Sequence, residues 1–131
     1  MTFVFDTNAY SALGRGAKEV LEVYEQADIV YLPFAVIGEL LSGFRRGFNA
    51  ERNLIQLKEF LRLPRVERVD STARTTEFYG RIHAELKERG SPIPINDVWI
   101  AAQSMENGAV LVTYDRHFLH VAGLHLWDRI R

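Results

Sequence analysis

With 131 residues, 47% of them hydrophobic and 25% charged, the chain has the size and composition of one compact domain, 1–131, built on a single core. A formal net charge of -1 and a pI near 6.4 exclude a protein that coats nucleic acid by bulk charge alone. Zero cysteines remove disulfides, thiolate zinc sites and cysteine nucleophiles, no apolar run reaches the roughly 18 residues of a membrane helix, and Asp6 intervenes before a signal-peptide core can form, so a cytoplasmic protein without membrane contact is expected.

Thr2 to Phe5 is a short apolar run that predicts a strand, and Asp6, Thr7 and Asn8 follow it as a polar stop ahead of a helix. Ala17 to Gln26 has helical spacing in Val20, Leu21, Val23 and Tyr24 with an acidic outer face of Glu19, Glu22 and Glu25. A second strand is predicted over Ile29 to Leu32. Pro33 is then placed to open a helix through Phe34, Ile37, Leu40 and Leu41 that Gly43 weakens and Gly47 ends. Asn49 can cap the next helix, to about Leu61, and the two helices should form a hairpin.

Val66 to Val69 reads as a third strand, and Asp70 or Ser71 can cap a long helix to about Arg89 with Thr75, Tyr79, Ile82 and Leu86 inward. Ser91 to Ile95, with two prolines, should be extended. The next helix is expected to begin at Asn96 or Asp97; Val98, Ile100, Ala101, Ala102 and Met105 make it apolar nearly all round, hence buried, and Asn107-Gly108 ends it. Ala109 to Thr113 and Leu124 to Trp127 are the last two strands. Strands that alternate with helices imply an α/β fold: a three-layer α/β/α arrangement around a mostly parallel sheet of about five short strands, with a protruding helix pair.

Four carboxylates fall where such a fold gathers function, at strand ends and on buried helices. Asp6 could be a helix cap, but Thr7 and Asn8 are available for that. Glu39 interrupts an apolar stretch, where an ionised carboxylate is costly unless exposed, paired or bound to a cation. Asp97 sits in the first turn of the most buried helix, a place the helix dipole favours for a carboxylate. Asp115 follows the Leu111 to Thr113 strand and could be a turn former. Each has an ordinary explanation alone, yet one cation site accounts for all four, and carboxylate oxygens suit Mg²⁺ or Mn²⁺. His117 and His120 offer only weak ligand spacing and read as exposed loop residues; His83 and His125 read as structural.

Arginine supplies 13 of the 16 basic residues, and residues 45 to 68 hold seven basic against three acidic side chains. That stretch can bind phosphate or be a salt-bridged helix surface. There is no phosphate-cradling Gly-rich loop, no dinucleotide fingerprint and no Gly-x-Ser-x-Gly elbow. A phospho-acceptor receiver domain is set aside because no lysine follows the Leu111 to Thr113 strand.

The blocks Phe5-Asp6-Thr7-Asn8, Gly38 to Phe44, Ile93 to Ala102 and Leu111 to Phe118 resemble the PIN domain, and more closely the VapC-like ribonuclease toxins of toxin-antitoxin systems. The resemblance runs over essentially the whole chain and is most specific in its third and fourth blocks. It implies that Asp6, Glu39, Asp97 and Asp115 are the catalytic and metal-binding acids, with Asp6 and Asp97 closest to the metal, and that Thr7, Asn8 and Thr113 support them. It also implies a Mg²⁺-dependent endoribonuclease, with Mn²⁺ as substitute, that cuts structured RNA such as tRNA or rRNA, pairs with an antitoxin protein and forms a homodimer. Many relatives carry a further Asp where this chain has His117. Phe44, Arg45, Arg46 and Phe48 are candidates for RNA contact through charge and stacking, or for antitoxin docking on the helix pair, which is favoured. Two alternatives remain open: a PIN-type nuclease of RNA or DNA processing without an antitoxin, and a catalytically silent PIN-like binding module.

Overall fold

The computed structural model describes residues 1–129. In chain order the elements are β1 (Thr2–Phe5), α1 (Thr7–Gly14), α2 (Lys18–Gln26), β2 (Ile29–Pro33), α3 (Phe34–Arg46), α4 (Ala50–Leu61), β3 (Val66–Val69), α5 (Ala73–Glu88), α6 (Ile95–Glu106) and β4 (Val110–Val112), then a 3-10 turn over Arg116–His120. The strands form one parallel sheet in the order β3-β2-β1-β4. Parallel strands need long crossovers, and here every crossover is a pair of helices.

The sheet is buried where it matters. Val4 and Phe5 of β1, Val30 and Leu32 of β2, and Leu111 and Val112 of β4 are all fully buried, as expected of strands covered on both faces. β1 pairs with β2 from Thr2 against Ile29 and with β4 from Phe3 against Val110. Right-handed crossovers put α1 to α4 over one face, because β2 and β3 extend the sheet in one direction. The return across β1 to β4 then carries α5 and α6 over the other. Thr75, Ile82 and Leu86 are the buried stripe of α5, and Val98 and Ile100 to Ser104 bury α6. No helix among the described residues is long and apolar enough to cross a membrane.

Several local expectations are revised. The sheet has four strands rather than five: Leu124 to Trp127 contributes one parallel bridge, Leu111 with Leu126, flanked by Leu111 N–H to His125 O at 2.9 Å and Trp127 N–H to Leu111 O at 2.9 Å. β4 is only three residues long and Gly123 turns the chain at a φ of 81°, so little length is left to pair. Thr72, not Asp70 or Ser71, caps α5, through a reciprocal pair with Thr75. α6 starts at Ile95 because Pro94 already has the extended conformation of a cap. Asn49 occupies the cap position of α4 without a side-chain hydrogen bond, and Gly43 leaves α3 uninterrupted up to Gly47. His125, expected within a strand, is exposed beside the bridge.

Candidate functional site

The sheet order locates a crevice. β1 has β2 on one side and β4 on the other, so chain connections leave the carboxyl ends of β1 and β4 in opposite directions and open a gap between them. Asp6 is the residue after β1, and Thr113 is the residue after β4. The Asp6 N–H donates to Val112 O at 3.4 Å, which continues the strand pairing to the edge of the crevice.

Asp6 is buried, with both carboxylate oxygens engaged. Oδ1 accepts from the Ala9 N–H at 2.8 Å, so Asp6 does cap α1, and Oδ2 accepts from the Thr113 hydroxyl across a sequence separation of 107. Capping uses one oxygen and leaves the carboxylate in the crevice, so the cap and the site are the same residue. Thr113 is fully buried, and its hydroxyl oxygen also accepts from the Asp115 N–H at 2.9 Å. One hydroxyl thereby ties two of the four acids together. Burial pushes the Asp6 carboxyl up to about 6; Thr113 and the Ala9 amide oppose this, and the negative charges of Asp97 and Asp115 add to it.

Glu39 lies on α3, half-buried, and accepts from the Thr7 hydroxyl at 3.1 Å. Asp97 lies in the first turn of α6. Burial raises its carboxyl, His117 opposes the rise, and the charges of Asp115 and Glu39 reinforce it. Asp115 starts the 3-10 turn and its Oδ1 accepts from the His117 N–H at 2.9 Å. Asp6, Glu39, Asp97 and Asp115 are thus brought to one crevice from β1, α3, α6 and the end of β4.

His117 stands beside two of these acids. Its ring is exposed, yet Nδ1 lies 3.0 Å from Asp115 Oδ1 and 3.3 Å from Asp97 Oδ2. Asp97, Asp115 and His117 each offer one ligand atom, all within 4.8 Å of one another. The signal available in the sequence was the Asp-x-His spacing of Asp115 and His117, which places the imidazole back over the carboxylate when the turn is tight. His120 instead offers its backbone carbonyl to Arg89.

An open cleft lined by Glu39, Asn96, Asp97, Asp115 and His117 continues, through Glu39 and Asn96, into a groove of about 670 Å³. Thr7, Phe34, Phe44, Arg46 and Trp99 line that groove. Phe44 and Arg45 also border a separate hollow between α3 and α4, with Leu41 and Leu54. Phe48 is fully exposed at the tip of the hairpin, beside Arg52 and Ile55. Asn8 is exposed on α1, and no side-chain hydrogen bond of Asn8 occurs among the described residues. Arg65, one of the arginines of the basic stretch, is committed elsewhere: it donates to the carbonyls of Tyr24 at 2.7 Å and Glu25 at 3.1 Å.

Comparison with known proteins agrees with this architecture. Residues 3–124 match the PIN domain. The Ribonuclease VapC2 of Rickettsia felis is 31% identical over 112 residues, covering 83% of this chain and 82% of that protein. The tRNA(fMet)-specific endonuclease VapC of Salmonella typhimurium is 32% identical over 91 residues, covering 69% of this chain and 67% of that one. Among solved structures, VapBC2 from Rickettsia felis bound to a DNA fragment from its promoter superposes with a TM-score of 0.84 at 28% identity, over 97% of this chain and 98% of the matched chain. The chain belongs to the PIN-domain family, alongside the VapC ribonucleases.

Proposed function

We propose that this protein is a divalent-metal-dependent endoribonuclease that hydrolyses phosphodiester bonds in structured RNA, and that it is the toxin of a toxin-antitoxin pair. The observation that carries the reading is the gathering of Asp6, Glu39, Asp97 and Asp115 around one crevice, with charges close enough to perturb one another. Four carboxylates held together are costly, His117 faces only Asp97 and Asp115 among them, and a cation offsets the remaining cost. The donors are mainly carboxylate oxygens, a set that suits Mg²⁺ or Mn²⁺ rather than a thiophilic metal.

In this reading Asp6, Asp97 and Asp115 hold the cation, and Glu39 completes the acidic wall. The bound ion supplies charge neutralisation at the phosphate and a water of lowered pKa. The chain's own work is orientation: Thr113 fixes the Asp6 carboxylate and the backbone of Asp115, Thr7 fixes Glu39, and His117 holds the Asp115 and Asp97 carboxylates near each other. The groove beyond Glu39 receives the RNA strand, with Arg46 as a phosphate contact.

The Salmonella relative is named for a tRNA, which supports tRNA as the first substrate to try. The helix hairpin, with exposed Leu41, Phe48 and Ile55, is the surface on which an antitoxin would dock. A single nuclease domain over 1–131, a homodimer and a cytoplasmic location complete the reading. Protein purified free of any partner is expected to cut tRNA with Mg²⁺ or Mn²⁺ and to stop in excess EDTA. Undiminished cutting in EDTA would defeat the metal mechanism.

A further inference from the structure

The groove beside the acidic cleft contains an aromatic corner that metal chemistry does not use. Trp99, two residues after Asp97, is stacked on Tyr79 with ring centroids 4.1 Å apart and 27° between planes. Phe34 meets Trp99 edge-on at 5.9 Å and 65°. All three rings are only half-buried. Tyr79 occupies one face of the indole, and the accessible remainder lines the groove with Phe34. Tyr79 is itself stacked on His83, at 5.6 Å and 9°, so the platform is braced from behind by a continuous row of rings.

The polar groups of the groove are arranged around that corner. Asn96 and Glu39 line both groove and acidic cleft, and Ser42 and Arg46 lie on the next turns of α3. A volume of about 670 Å³ is within the usual range for pockets that take a small molecule the size of a nucleotide. An amide that can read a base edge, a rigid aromatic surface and an arginine are the parts single-strand recognition uses.

Building on the proposed nuclease reading, we propose that the Phe34–Trp99 corner is a base-stacking subsite for one unpaired nucleotide next to the scissile phosphate, with Asn96 at the base edge and Arg46 at a neighbouring phosphate. Such a subsite makes Trp99 a positioning residue and restricts cutting to RNA whose strand is unpaired at that nucleotide.

The test is a coupling measurement that needs no turnover. In an Asp97→Asn background, affinity is measured for a single-stranded RNA 12-mer containing all four bases and for its twelve single-abasic versions, with Trp99 intact and with Trp99→Leu. Base removal at one position is expected to weaken binding roughly ten- to a hundredfold. Trp99→Leu should cost a similar factor, and in that variant removal of the same base should cost nothing more. Phe34→Leu serves as the second variant, and thermal melts identify any variant that fails to fold. Absence of a sensitive position, or losses that simply multiply, would overturn the subsite. So would a Trp99→Leu variant that loses a protein partner while keeping its full sensitivity to the base. If wild-type protein leaves both the 12-mer and tRNA uncut with Mg²⁺ while the coupling persists, the nuclease reading fails and the stacking site stands. If it cuts the 12-mer but shows no coupling, only the subsite fails.

Discussion

At the scale of single residues, Asp6 and Thr113 decide most of what the crevice can do. Burial raises Asp6 to about 6 from an ordinary 3.8, so the folded state holds the proton more tightly than the unfolded chain does. Stability of the metal-free protein should therefore fall as pH rises from about 4 to about 6, by on the order of 3 kcal/mol, and stay reduced above that. Asp6→Asn keeps an acceptor for the Ala9 N–H, lets its amide donate to the Thr113 hydroxyl oxygen in place of accepting from it, and removes the charge. In EDTA it should be more stable than wild type at pH 7 and lose the dependence between pH 4 and 6; urea unfolding across that range measures both, and a destabilised Asp6→Asn would count against burial as the cause. Thr113→Val deletes one hydroxyl that serves Asp6 and Asp115 together. It should cost about 1–3 kcal/mol in folding and lower kcat/KM roughly ten- to a hundredfold through misplaced acids. The sequence showed these two residues at strand ends, but not that a hydroxyl joins them, because the pairing of β1 with β4 that makes them neighbours is a tertiary fact. The exposure of His117 is legible from its loop position, while the tight turn that returns its ring to Asp115 is invisible in composition.

At the scale of elements, the four acids meet because each sits where its element ends or buries. The short strands, the hairpin helices and the buried α6 were legible from apolar period and from Pro33, Gly47, Gly90 and Gly108. Caps were less so: where Asp70, Ser71 and Thr72 stand in a row, chemistry alone does not choose, and Thr72 wins through reciprocal bonding with Thr75. The fifth strand failed on length, since β4 offers three residues and only Leu111 pairs with the returning segment. The α3–α4 hairpin carries a prediction of its own. Leu41 is 38% exposed and faces the hollow between the two helices, so Leu41→Glu should weaken antitoxin binding at least about tenfold by placing a charge against an apolar contact. The loss in cleavage by the free protein should be much smaller. Equal losses in both assays would show that the hairpin belongs to the RNA surface instead.

For the whole molecule, a parallel sheet in the order β3-β2-β1-β4 creates the crevice, and the crevice collects the acids. Strand and helix order made the fold class legible, and the four acidic blocks made the family recognisable. The groove beside Glu39 was not legible: Phe34, Asn96 and Trp99 come from α3 and α6, and only packing brings them together. The assignment that decides the proposed function is that Asp6, Asp97 and Asp115 hold the cation that cuts RNA, with Glu39 completing the acidic wall. It is tested most directly by titrating Mn²⁺ into wild type and into Asp6→Asn, Glu39→Gln, Asp97→Asn and Asp115→Asn, with and without RNA, and setting each affinity beside the cleavage rate. Mn²⁺ affinity and cleavage should fall together, most steeply for Asp6→Asn and Asp97→Asn. Unchanged Mn²⁺ binding in those two variants, or cleavage that survives loss of the metal, would contradict the account.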